Sequence, residues 1–199
     1  AIEMALGRGG DQVVIKNGNN ITYYGGKTQQ MEKNTRVKAR VKAQALKEFM
    51  STKDRVVVMG HKITDVDALG AAIGIFRAGK TLGKSVSIVV NDPTKSIRPL
   101  IAGYVNNPDY EPSMFVESEQ AKDMVDNNTV VVVVDTNRPS YTECEELLHM
   151  TKTIVVLDHH RRGSEVIENA VLSYVEPYAS SACEMVAEIL QYFSDDLRI

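Results

Sequence analysis

The sequence predicts an α/β protein: a parallel β-sheet flanked by helices on both faces, preceded by an N-terminal β-hairpin and a connector helix. Three observations carry this. The runs "RVVVMG", "TVVVVVD" and "TIVVLD" are apolar throughout rather than alternating, as strands buried on both faces are. Segments with apolar residues at helical spacing separate them, and such strand–helix alternation makes successive strands parallel. With 199 residues and 43% hydrophobic content, the chain is large enough to bury a core on both sides of a sheet.

The elements follow in order. Residues 1–30 are punctuated by glycine and hold two short β runs, "QVVIK" and "ITYYG", around an Asn- and Gly-rich turn, which reads as a hairpin. The strand–turn–helix context of a phosphate loop is missing around these glycines. The connector helix, residues 31–52, repeats Val37, Val41, Ala45 and Phe49 at four-residue spacing and is expected to cover that face. Seven Lys or Arg lie between residues 27 and 47 against one acid. A nucleic-acid or lipid patch would look like this, but charge runs on amphipathic helices are ordinarily solvated faces, and we read this one so.

From residue 55 the alternation is regular. "RVVVMG" is a strand, "DALGAAIGIFRAGKTLG" a helix, "SVSIVV" a strand, and "SIRPLIAGYV" and "ESEQAKDMV" are helices. "TVVVVVD" is a strand, "YTECEELLHM" a helix, and "TIVVLD" and "AVLSYVE" are strands. The helix "SSACEMVAEILQYF" closes the series, opened by a Ser181–Glu184 capping box. Residues 53–199 therefore form the α/β domain.

Composition excludes several classes. A net charge of −3 argues against bulk attraction to duplex nucleic acid, so an anionic ligand must be held by specific groups. Cys144 and Cys183 form no CxxC pair and read as reduced interior thiols without a chemical role. No apolar run reaches the length of a membrane-spanning helix.

Ligands of parallel sheets bind beyond the carboxyl ends of the strands. Three of those ends carry the same kind of chemistry. "VVVMG" is followed by His61, Asp65 and Asp67, "VVVVV" by Asp135 and Arg138, and "IVVL" by Asp158, His159, His160, Arg161 and Arg162. So many carboxylates share one edge only if cations neutralise them. Oxygen and imidazole donors without thiolate favour Mn²⁺, with Zn²⁺, Co²⁺ or Fe²⁺ as alternatives. Asp67 ahead of "ALGAAIG" also reads as a helix N-cap, and His61 alone would be an ordinary imidazole. The coincidence at three strand ends is what points to a metal site. The Asp-x-Asp spacing suits two adjacent ions, the arrangement used for phosphoryl hydrolysis.

These residues resemble the DHH phosphoesterase family, whose triplet appears as Asp158, His159 and His160. "HKITDVDALG" is similar to its His-x-x-x-Asp-x-Asp-Ala-x-Gly pattern, and Asp135 matches its second-motif aspartate. "DTNRPSYTEC", "DHHRRG" and "VEPYASSACE" look like the membrane-anchored cyclic-di-AMP phosphodiesterase branch, in which a degenerate GGDEF domain precedes the DHH domain. The resemblance implies two Mn²⁺, one held by His61, Asp65 and Asp135, the other by Asp67, Asp135 and His159. Asp158 would orient His159 from behind. The implied reaction is attack of a metal-bridging hydroxide that opens cyclic di-AMP to linear pApA. His160 would contact a phosphate oxygen or protonate the leaving oxygen. Arg138, Arg161 and Arg162 are candidates for phosphate contact. Ser180 and Ser181 at a helix start are further candidates, although capping accounts for them.

The same resemblance implies that residues 1–30 end a GGDEF-like domain. It places a last metal-binding motif and a C-terminal substrate domain beyond residue 199, and membrane and sensory domains ahead of residue 1. The chain is thus expected to be a soluble piece of a protein at the cytoplasmic face of a bacterial membrane, weakly active or inactive alone, with room for a homodimer. Alternatives are a DHH oligoribonuclease or pAp phosphatase, a more distant manganese pyrophosphatase, and a catalytically silent nucleotide-binding regulatory module.

Overall fold

A computed structural model describes residues 12–17, 20–25, 28–194 and 197, with side chains from residue 36. The chain divides into two compact units, residues 1–38 and 39–199. In the first, β1 (Gln12–Asn17) and β2 (Asn20–Gly25) pair antiparallel as the expected hairpin, with Gln12 opposite Gly25. The glycine-punctuated start before residue 12 lies outside the described residues. Helix α1 runs from Thr28 to Ser51.

In the second unit, α1 buries Ala39, Ala43, Leu46 and Met50, whereas Val41 is 61% exposed; Val37, in the first unit, is 65% exposed. Of the expected stripe, Ala45 and Phe49 flank the buried face and pack on the core, while Val37 and Val41 fall outside it. A strict four-residue step drifts about 40° around a helix each time, while the four-three-four spacing of the buried set stays on one face.

The sheet contains β3 (Arg55–Met59), β4 (Ser85–Val89), β5 (Phe115–Val116), β6 (Thr129–Val134), β7 (Thr153–Asp158) and β8 (Leu172–Val175). Its order is β5-β4-β3-β6-β7-β8 and every pairing is parallel. The remaining helices are α2 (Val66–Thr81), α3 (Arg98–Val105), α4 (Ser118–Met124), α5 (Leu147–Met150) and α6 (Ala182–Leu190). Alternate strand residues feed two cores: Val56, Val58, Val130, Val132 and Leu157 pack with α1, α2 and α6, while Val57, Val131, Ile154 and Val156 pack with α4 and α5. All six residues of β6 are buried, which explains its unbroken valines. Each such side chain contributes about 1.5–3 kcal/mol on leaving water.

Two segments differ from expectation. The two-residue β5 was not legible in the sequence, since so short an edge strand has no periodicity. "YTECEELLHM" yields a 3-10 turn over Pro139–Tyr141 and the single-turn α5, not one helix. Its middle is pulled back to the end of β3: Thr142 bridges to His61, and the Glu143 N–H donates to the Gly60 carbonyl at 2.9 Å.

Ser181 caps α6 by accepting the Glu184 N–H at 3.0 Å, but the Glu184 carboxylate turns to the N–H and hydroxyl of Ser180. Only half of the expected capping box forms. α6 lies against α2 where side chains vanish: a Cβ on Gly70 would sit 2.5 Å from Cys183 Sγ, and one on Gly74 2.6 Å from Val186 Cγ1. Among the described residues, no helix is long and apolar enough to cross a membrane.

Candidate metal centre and active site

The chain order reverses between β3 and β6, and at such a switch the loops leaving two adjacent strands part and open a crevice. That crevice is a cleft of about 390 Å³. His61, Asp65 and Asp67 enter it from the β3–α2 loop and the first turn of α2, Asp135 from the end of β6, and His159 and His160 from the end of β7.

Each acid is held locally. Asp65, not Asp67, is the N-cap of α2: its Oδ1 accepts the Asp67 and Ala68 N–H groups at 2.9 and 3.0 Å. Asp67 instead receives the first amides of α6, Cys183 N–H on Oδ1 at 2.7 Å and Ala182 N–H on Oδ2 at 2.8 Å. Burial alone would raise the Asp67 carboxyl, but these amides, the Cys183 thiol and His159 together hold it below the ordinary aspartate range. Asp135 is 3% exposed and adopts φ 59°, the one non-glycine residue in the left-handed region among those described. Aspartate tolerates this better than most residues, and such strain concentrates at functional sites.

The two oxygens of Asp135 face different groups. Oδ2 lies 3.6 Å from His61 Nε2, which is 3.8 Å from Asp65 Oδ1. Oδ1 lies 3.3 Å from His159 Nε2 and 3.6 Å from His160 Nδ1. His61, Asp65 and Asp135 thus form one set of donors within 4.8 Å of each other, and Asp135, His159 and His160 a second. Asp67 joins the second set through His159, 3.6 Å from its Oδ2. Donors about 2.1 Å from a common ion and near right angles lie about 3 Å apart, so both sets need close only slightly around a cation. Asp135 Oδ1 and His61 Nδ1 are buried without hydrogen-bond partners, and an unpaired carboxylate oxygen among imidazoles is what a cation would satisfy. The donor chemistry fits metal binding.

The Asp135 carboxylate raises the His61 imidazole; burial opposes this, and Asp65 and Glu143 reinforce it. Tyr141 stacks on the His61 ring with centroids 5.5 Å apart.

Asp158 is fully buried, and its Oδ1 meets His160 Nδ1 at 2.9 Å rather than His159. The expectation that it orients His159 is corrected: the chain turns after β7 so that the second imidazole folds back over the aspartate, while His159 points to Asp135 and Asp67. Asn137 donates through Nδ2 to the other oxygen of Asp158.

The remaining candidates divide. Arg138 lines the cleft. Arg162 donates to Ser173 Oγ at 3.0 Å and Arg161 is exposed; neither lines it. Ser180 and Ser181 also lie off the cleft lining, and the N-terminal amides of α6 that would have received a phosphate are filled by Asp67. Sequence reasoning missed Asn137, Tyr141 and Glu143. The last is a buried carboxylate that accepts the Asn91 N–H at 2.6 Å, and burial raises it above the usual glutamate range. All three fall in the "DTNRPSYTEC" stretch, whose density of polar residues directly after a buried strand was the available signal.

A doubly wound parallel sheet with a two-lobed carboxylate–imidazole cluster at its switch point is an α/β domain whose donors could hold metal ions. The chain belongs to the DHH family, whose N-terminal domain matches residues 55–198. It is 45% identical over 203 residues to the cyclic-di-AMP phosphodiesterase GdpP of Bacillus subtilis (strain 168), covering 100% of this chain and 30% of the relative. It is 47% identical over 196 residues to GdpP of Geobacillus thermodenitrificans, covering 96% and 30%. The chain therefore spans about 30% of the length of these relatives. A solved exopolyphosphatase-related protein from Bacteroides fragilis shares the fold with a TM-score of 0.62 and 16% identity, over 77% of this chain and 44% of that one.

Proposed function

We propose that the cleft is a two-metal phosphodiesterase site, with Mn²⁺ as its ions and cyclic di-AMP, opened to linear pApA, as its substrate. The carrying observation is Asp135, which presents one oxygen to His61 and Asp65 and the other to His159. A carboxylate held between two donor sets is what a pair of ions about 3.5–4 Å apart needs. The names and identities of the relatives support the substrate.

His61, Asp65 and Asp135 would hold one ion, and Asp67, Asp135 and His159 the other. Asp67 is taken as the further ligand because its carboxyl is held below the ordinary aspartate range and its Oδ2 lies 3.6 Å from His159 Nε2. Bound, the ions supply Lewis acidity at the phosphoryl oxygen and lower the pKa of water. The protein's own groups do the rest. Arg138 neutralises and orients the phosphate. His160 faces the cleft and, with a second proton on Nε2, is placed to protonate the leaving oxygen or to hydrogen-bond a phosphate oxygen, with Asp158 holding its ring through Nδ1. In the same reading, residues 1–30 end a GGDEF-like domain, and the rest of the protein supplies a membrane anchor, a last ligand and the adenine-binding surface.

The test is Mn²⁺-dependent hydrolysis of cyclic di-AMP beside pAp, a short RNA and pyrophosphate, by this chain and by one extended past residue 199. Cyclic di-AMP should be consumed fastest; a clear preference for pAp, RNA or pyrophosphate overturns the substrate assignment.

A further inference from the structure

The DHH triplet places His160 over Asp158, but nothing in the triplet keeps that aspartate aimed. Asp158 is fully buried, closes β7, and pairs with Val175 of β8. A buried carboxylate has two oxygens to satisfy, and leaving one without a partner is destabilising. Oδ1 serves His160 twice, accepting from its backbone N–H at 3.2 Å and meeting its ring Nδ1 at 2.9 Å. Oδ2 takes the Nδ2 amide of Asn137, which also reaches the His160 carbonyl at 3.4 Å. Asn137 is itself 4% exposed, and its backbone carbonyl is tied to the Ile167 N–H at 2.9 Å. Its amide thus touches both ends of the His160 turn. Its Oδ1 is buried and unpartnered, so the residue is held in place for what its amide donates.

We propose that Asn137 is a positioning residue that, through Asp158, locks His160 in the Nδ1–H tautomer with Nε2 turned to the substrate. The chemistry is directional. A buried carboxylate that already accepts an amide on one oxygen accepts the imidazole N–H on the other, so in the neutral ring Nδ1 carries the proton and Nε2 is the nitrogen that takes up the second proton and hands it to the substrate. Without the amide, Oδ2 would draw compensation elsewhere, and the Asp158 plane would be free to rotate away from the ring. The residue two positions after the Asp135 turn thereby couples the β6 end to the β7 end. The pattern is that of an orienting group behind a general acid or base, where misplacement by about 1 Å costs about a hundredfold in rate. The inference deepens the phosphodiesterase reading and takes its functional meaning from it, but the tautomer itself exists without metal or substrate.

The test is a ¹⁵N-resolved imidazole spectrum of the metal-free chain, with His160 assigned by His160→Gln. Wild type should show His160 as a single Nδ1–H tautomer, and Asn137→Ala should convert it to a mixture. Asn137→Gln, which keeps a donor amide, should restore part of the wild-type signal. A wild-type His160 in the Nε2–H form refutes the proposal without recourse to any variant, as do unchanged His160 resonances in Asn137→Ala. In the extended chain, Asn137→Ala should lower kcat about tenfold or more while the Kd for Mn²⁺ changes less than about threefold. Equal losses in both would make Asn137 a structural support of the metal centre and overturn the assignment. If cyclic di-AMP is not hydrolysed at all, the tautomer result still stands and only the phosphodiesterase reading fails.

Discussion

Replacing Asp135 by Gly, Ala and Asn separates strain from metal binding at one position. The residue sits at φ 59°, is 3% exposed, and presents its two oxygens to two donor sets. Left-handed backbone costs a residue with a Cβ about 1–2 kcal/mol, and Asn tolerates it better than Ala. Glycine escapes that cost but loses about 0.5–1 kcal/mol through its greater freedom when unfolded. The metal-free Gly variant should therefore be about 0.5–1 kcal/mol more stable than the Ala variant, roughly 1–4 °C in Tm for a chain of this size. Asn should match or exceed Gly. All three should lose both ions, because the shared ligand is gone. Urea unfolding in chelator and a Mn²⁺ titration read the two effects apart. An Ala variant as stable as Gly would show that the turn holds no strain, and two ions retained by any variant would refute the bridging role.

Three further outcomes follow from the same geometry. Gly70→Ala should destabilise by about 1 kcal/mol, since overpacking against Cys183 Sγ costs about 1–3 kcal/mol and improved helix propensity returns about 1; adding Cys183→Ala should reverse the sign, and additive urea midpoints would refute the contact. His61 is raised, so its proton contributes folding stability that is fully present below the ordinary imidazole value of 6.5 and is lost as pH rises through the raised value. A metal must displace that proton, so Mn²⁺ affinity should climb from about pH 6 to pH 8, and a flat titration would contradict it. Glu143 is also raised, by burial, so its stabilising contribution is present below the ordinary 4.5 and lost as pH rises through its folded value. Glu143→Gln should gain on wild type across that window in thermal unfolding; a gap that narrows with pH would refute it.

The layered sheet was legible because β6 and β7 are buried on both faces and so cannot alternate. The donors were legible because the Asp and His residues follow those strands directly. What escaped was settled by partners distant in sequence. Nothing near Asp67 announces that α6, more than a hundred residues later, supplies its amides. Nor does "DHH" say which imidazole its aspartate serves, since a turn decides that. Arg161 and Arg162 looked equivalent to Arg138 in the sequence, and only the path after β7 takes them off the cleft. The face of α1 was misplaced at Val37 and Val41 through a spacing rule that the 3.6-residue turn breaks, although Ala45 and Phe49 pack on the core.

The Asp67 clamp has a mechanical consequence. One carboxylate is gripped on one side by the leading amides of α6 and faces His159 on the other. The glycines of α2 let the Cys183 and Val186 side chains of α6 seat directly on the α2 backbone, so the two helices and the Asp67 grip form one packed unit. The position of a donor on one side of the cleft is thereby set by where a helix more than a hundred residues later begins.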